Sequence, residues 1–137
     1  MKTYVSALSL LAAFLVGCNS NKFSHQISDA DRVVLSGHFF DPVEITVTGD
    51  KAREIINTVA SAKRLTGRYG RPEMIGIKLL NEVRFYHGTN LLGRIDTSLG
   101  LFTTGGVDSY EADKEKMTSF VDDPIMRAME EKQRQKR

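Results

Sequence analysis

The sequence predicts an α+β fold: a small single domain in which an antiparallel sheet of about four to six strands packs on one main amphipathic helix, followed by short C-terminal helices. Three observations predict it. Ala52, Ile55, Ile56, Val59 and Ala60 recur at helical spacing, with Lys51, Arg53, Glu54, Asn57 and Ser61 between them. Residues 74–103 break into short apolar runs separated by hairpin-length connections, so consecutive strands should be antiparallel neighbours. Runs of strands with few helical crossovers argue against a doubly wound nucleotide-binding fold.

The chain opens with Met1-Lys2 and an uncharged apolar stretch over residues 5–16 (VSALSLLAAFLV). That stretch is too short to span a bilayer as a stable helix and has the length of a signal h-region. It ends in Leu15-Val16-Gly17-Cys18, and Cys18 is the single cysteine of the chain. This pattern resembles the lipobox of bacterial lipoprotein signal peptides: aliphatic, aliphatic or small, small, then cysteine. An ordinary secretory signal with a chance cysteine is the alternative.

The resemblance implies removal of residues 1–17 and diacylglycerol on the Cys18 sulfur. In many bacteria it also implies an acyl chain, such as palmitate, on the new amino terminus. One acyl chain binds membranes only marginally, whereas two or three hold a protein without a transmembrane helix. The implied location is the cell envelope. Asn19 rather than aspartate follows the cysteine, which favours the periplasmic face of the outer membrane if the organism is Gram-negative. An acylated Cys18 leaves no thiol for a disulfide, a nucleophile or a zinc site.

About 120 residues then remain, the size of one domain. The formal net charge of +2, reduced by loss of Lys2, gives no argument for nucleic acid as a partner. Residues 18–31 carry only Phe23 and Ile27 as sizeable apolar groups and read as the lipidated N-terminus and a partly ordered tether. The domain is expected over 32–123. Residues 33–35 and 43–47 read as strands, the second alternating Val43, Ile45 and Val47 with Glu44, Thr46 and Thr48. Asp41-Pro42 marks a turn between them. Asp50 is the expected N-cap of the main helix, over 50–64, and Gly67 its left-handed stop.

Met74, Ile75, Ile77, Leu79 and Leu80 form the first run of the meander. Val83, Phe85 and Tyr86 form the second, Leu91, Leu92 and Ile95 the third, and residues 101–103 a short fourth. Asn81-Glu82, residues 88–90 and residues 98–100 read as connections, and Gly105-Gly106 as the end of the meander. Residues 113–121 predict a second helix with Met117, Phe120 and Val121 inward. Asp122 or Asp123 would cap a third, with Pro124 in its first turn and Ile125, Ala128 and Met129 as its stripe. The last segment, 124–137, is expected to be helix running into a frayed charged tail.

Candidate chemistry is sparse. His25, His38 and His87 show no metal-ligand spacing. Ser36-Gly37-His38 lacks the context of a nucleophile elbow, and Gly105-Gly106 that of a phosphate loop. Asp108, Glu111, Asp113, Asp122 and Asp123 gather near the C-terminal helices, where capping and the helix dipole account for acids. The site expectation is therefore a basic, partner- or anion-binding loop of Lys63, Arg64, Arg68, Tyr69 and Arg71. Lys63 and Arg64 also suit a helix C-terminus.

No catalytic residue, metal or cofactor is assigned. The expected partners are membrane lipid through Cys18 and an envelope protein or anionic envelope surface. The leading reading is a membrane-anchored, non-enzymatic binding module. The alternatives are a small exported hydrolase around His38 and acidic residues, or an inhibitor or immunity-type protein.

Overall fold

The computed structural model describes residues 21–38, 42–70, 79–105 and 108–137. It is an α+β domain built on one seven-stranded sheet in the order β2-β1-β4-β5-β6-β7-β3, with every neighbouring pair antiparallel. The strands are β1 (Arg32–Gly37), β2 (Val43–Thr48), β3 (Lys63–Arg64), β4 (Asn81–His87), β5 (Asn90–Ser98), β6 (Leu101–Thr104) and β7 (Asp108–Glu111). Three helices accompany them: α1 (Lys22–Ile27), α2 (Gly49–Ala60) and α3, a 22-residue helix over 114–135. The chain leaves β2 at one edge of the sheet and reaches β3 at the other. Six strand intervals span about 29 Å, and α2, about 18 Å long, carries the chain over the apolar face between them.

The strand registers place one row of core residues after another. Val47, Val33, Phe85 and Gly93 are cross-strand neighbours, as are Ile45, Leu35, Val83 and Ile95. A third row runs Thr97, Phe102, Tyr110, and there Phe102 and Tyr110 stack with centroids 5.0 Å apart. The buried face of α2 (Ala52, Ile55, Ile56, Val59) packs into the same core, with Met117, Val121 and Ile125 of α3.

Two glycines in the sheet receive helix side chains. A Cβ on Gly93 would stand 2.8 Å from the Phe23 ring, and one on Gly37 would collide with Ile125 and Met129. Phe23 thereby meets Phe85 edge-on, 6.0 Å between centroids. Beside Gly93, Leu92 is the extra residue of a bulge between the Phe85–Gly93 and Tyr86–Leu91 pairs. Its carbonyl accepts from Gln26 Nε2 at 2.7 Å, so a ladder acceptor displaced by the bulge is satisfied by α1.

Several expectations are corrected. The tether expected over 18–31 is, from residue 21 onward, part of the core: Phe23, Ile27 and Ala30 are buried. Asn21 caps α1 by accepting from Phe23 N, and its Nδ2 donates to Val59 O at 3.0 Å, a carbonyl in the last turn of α2 that also accepts from Ala62 N. Thr48, not Asp50, occupies the N-cap of α2, and Asp50 sits in its first turn. The helix stops at Ala60 with Ser61 as C-cap, because Lys63 and Arg64 are drawn into pairing with Glu111 and Tyr110 of β7. Gly67 has the left-handed conformation (φ +65°) but opens the 3-10 turn Gly67–Gly70 rather than closing α2.

Asn81 and Glu82, expected in a turn, begin β4, and β7 extends the meander beyond its expected end, bringing the strand count to seven. The two expected C-terminal helices are one. Asp113 caps it by accepting from Lys116 N, and Asp122 is helical and caps nothing. A π-helical turn, Thr118–Asp122, lets Asp123 N bond to Thr118 O ahead of Pro124, which has no N–H to give. The tail expected to fray is helical through Gln135, and Lys132 Nζ reaches Pro42 O at 2.6 Å. Asp41, residues 74–78 of the first meander run, Gly106, Arg71 and Cys18 lie outside the described residues, and Leu79 and Leu80 form no strand.

The packing of α1 predicts that Phe23→Ala lowers the unfolding free energy by about 3–5 kcal/mol in denaturant titration. A loss within about 0.5 kcal/mol, as for an exposed residue, would contradict this placement.

Candidate binding groove

The expected basic site is only partly assembled. Lys63 and Arg64 lie on β3, while Arg68 and Tyr69 belong to the 3-10 turn that follows. Arg64 is engaged by Asp108, with Nη2 2.8 Å from Oδ1, and Lys63 is paired across the ladder with Glu111. Arg68 is exposed.

The histidines are not gathered into a site. His38 is exposed and His25 lies in the last turn of α1. His87 Nδ1 stands 2.9 Å from Asp29 O and 3.6 Å from an Asp31 carboxylate oxygen, on an exposed strand end that lines none of the cavities described below. Ser36 accepts from Arg84 and faces away from Gly37. No group of three or more metal-ligating side chains is positioned to hold an ion among the described residues.

The sheet face away from the core carries an ion-pair ladder. Arg84 Nη2 donates to Glu44 at 2.7 Å, Arg84 Nε stands 3.1 Å from Glu82 without a hydrogen bond, and Arg94 lies 3.6 Å from the same Glu82. Arg32 stacks over the Tyr86 ring at 4.4 Å. Burial works to lower the Arg84 pKa, but the bond to Glu44 and the neighbouring Tyr86, Glu44 and Glu82 side chains outweigh it and raise the value. These groups largely satisfy one another.

Exposed apolar surface is found elsewhere, at a groove of about 440 Å³ where the β5–β6 turn meets α3. Leu80, Leu99, Ile125, Met126 and Met129 form its apolar lining. Leu99 is 48% and Met126 58% exposed. Leu99 and Gly100 are the two-residue turn between Ser98 and Leu101, and both have positive φ (51° and 84°). Such turns favour asparagine, aspartate or glycine. A leucine there costs about 1–2 kcal/mol of backbone strain, so this turn holds an exposed apolar side chain against local preference.

Asp122 ties the groove together. Its Oδ1 accepts from Asn81 Nδ2 at 2.7 Å and its Oδ2 from the Leu99 N–H at 3.3 Å, joining the start of β4 and the strained turn to the π-helical turn. Burial raises its pKa above the usual 3.8, the Asn81 and Leu99 bonds oppose that, and Asp123 adds to it. Among the described residues the charged groups lining the groove are two acids, Asp122 and Glu130, the second 3.8 Å from Arg134. Sequence reading treated residues 98–100 as a mere connection. The available signal was leucine at a hairpin position that requires positive φ.

A second cavity of about 510 Å³ lies between α1 and β5–β7, with Phe23, Tyr110, Lys22, Arg94 and Asp108 in a mixed polar lining. Burial raises the pKa of Tyr110 there, Asp108 adds to the rise and Arg64 opposes it. A third, of about 690 Å³, runs beside β2. Among the described residues no helix is long and apolar enough to cross a membrane. Comparison of the chain with protein-family models, curated proteins and solved structures returned no match.

The raised Asp122 pKa predicts a pH signature. A carboxyl that binds its proton more tightly when folded contributes stability that is full below its unfolded value and is lost as pH rises through the folded one. Between about pH 3.5 and 7 the wild type should therefore lose stability relative to Asp122→Asn, measured by denaturant titration at both pH values. A relative gain by the wild type at the higher pH would contradict the assignment.

Proposed function

We propose that this chain is a lipid-anchored module of the bacterial envelope that works by binding, and that the Leu99–Met126 groove holds an apolar segment of an envelope protein. The observation that carries the binding reading is the exposed, strained Leu99 beside exposed Met126. Clustered exposed apolar side chains are the usual mark of a protein contact, and methionines adapt to a partner's shape. Asp122 and Glu130 are the charged groups of the lining among the described residues, so the complementary segment carries a lysine or arginine.

The anchor rests on Leu15-Val16-Gly17-Cys18. Asn21, the first described residue, is already buried, three positions after Cys18. Three residues extend about 10 Å at most, so an acylated Cys18 would hold the domain close to the headgroups. Asn21 is bonded to Val59, four residues before Lys63, and Lys22 is exposed beside it. These lysines thus lie near the anchor, where each basic group is worth about 1 kcal/mol against an anionic surface.

Two outcomes test the reading. Leu99→Asn, which relieves the positive φ, should raise the unfolding free energy by roughly 1 kcal/mol yet abolish the adduct formed in intact envelopes by a photo-crosslinking residue at position 126. An equal adduct from the exposed position 115, or an adduct unaffected by Leu99→Asn, would remove the groove as the binding surface. Cys18→Ser should block acylation and shift the chain to the aqueous phase on detergent partitioning. Unchanged partitioning would refute the anchor while leaving the groove to its own test.

A further inference from the structure

We propose that two copies of this chain pair edge to edge through β2, joining their sheets into one. The two edges of the sheet are unlike. β3 is two residues long, a short edge that offers little to a partner strand. β2 is six residues long and regular, with an unbroken register against β1, no bulge, no lysine, and a proline only at its approach, Pro42. Its one charge, Glu44, is held by Arg84.

The outer side of β2 borders the 690 Å³ cleft. Four consecutive residues line it, Ile45, Thr46, Val47 and Thr48. Successive side chains of a strand point to opposite faces, so the cleft, which also reaches Leu35 and Ile55 on the apolar face, extends around the strand's edge. The core row is also left incomplete there. Val33 and Leu35 on β1 are fully buried at 0% exposure, whereas their β2 neighbours Val47 and Ile45, with Val43, are only partly covered. A further strand would complete that cover and pair with the backbone edge of β2, which no strand among the described residues occupies.

The sequence of β2 selects a second copy as the occupant. With the two-fold axis normal to the joined sheet, both apolar faces lie on the same side, and residues of like face must oppose one another. The two longest antiparallel registers that satisfy this, one centred on Ile45 and one on Thr46, keep Glu44 from Glu44. Each sets β-branched aliphatic residues opposite one another and Glu44 opposite a threonine, Thr46 or Thr48. The cleft walls add Lys51, Arg127 and Glu131, none of which makes an ion pair among the described residues. Both signs on one surface suit an isologous contact, in which each patch meets its own copy.

The test uses the full chain in detergent, with protein mass measured by sedimentation. The wild type should be a dimer. Thr46→Glu sets like charges across the seam in either register, against Glu44 or against its own copy, on an exposed side chain, and should weaken dimerisation about tenfold or more with an unchanged circular dichroism spectrum. Leu99→Asn should leave the dimer intact. A monomeric wild type, or a Thr46→Glu chain that dimerises as tightly as the wild type, would overturn the proposal. Should Thr46→Glu fail to fold, single cysteines decide: paired residues across antiparallel strands have Cα atoms about 4.5–5.5 Å apart, within disulfide reach. Ile45→Cys or Thr46→Cys should then give a covalent dimer on mild oxidation. Absence of a covalent dimer from both would equally overturn it.

Discussion

One sheet face has to be kept from water, and almost every other feature follows from how that is done. Val33, Leu35, Val83, Phe85, Ile95 and Phe102 form an apolar surface across four adjacent strands, β1, β4, β5 and β6, flanked by Val43, Ile45 and Val47 of β2. α2 covers it on the way from one edge to the other, α3 seats Ile125 and Met129 over Gly37, and α1 seats Phe23 over Gly93. The opposite face carries the Arg84 ion-pair ladder. The hydrophobic term thus fixes the layers, and the glycines fix where the helices sit.

Residues whose apolar pattern spoke for itself were legible in the sequence. β2 alternates, β1 and β5 are rich in β-branched or aliphatic groups, and α2 repeats its apolar residues at helical spacing, so the α+β class followed. Elements stabilised by distant partners were not legible. β7 (Asp108–Glu111) contains one apolar residue, Tyr110, which is held by stacking on Phe102. Lys63 and Arg64 look like a helix C-terminus until β7 is present to pair with them. α1 is polar by composition, and only Phe23, Ile27 and the two-way bonding of Asn21 make it part of the core. Asn81 and Glu82 read as a turn because their worth lies in reaching Asp122 and the arginines of the outer face.

The same contrast governs the candidate sites. A basic loop stands out by composition, yet Arg64 is already satisfied by Asp108. The groove draws its character from a backbone angle: Leu99 at positive φ, pinned through its N–H to a half-buried carboxylate. Groove and β2 edge are separate surfaces of one small domain, one specified by side chains and the other by backbone. In the proposed setting, a short link to the lipid holds the domain close to the membrane and limits the orientations in which either surface is presented.

The central claim is that residues 21–30, α1 among them, belong to the folded core. Amide hydrogen exchange on the full chain tests this most directly, because protection reports the free energy of opening segment by segment. The amides within residues 24–30 that are bonded inside α1 and its following turn should exchange on the timescale of β1 and β4. Exchange of those amides at the rate of an unstructured chain, while β1 and β4 stay protected, would contradict the account.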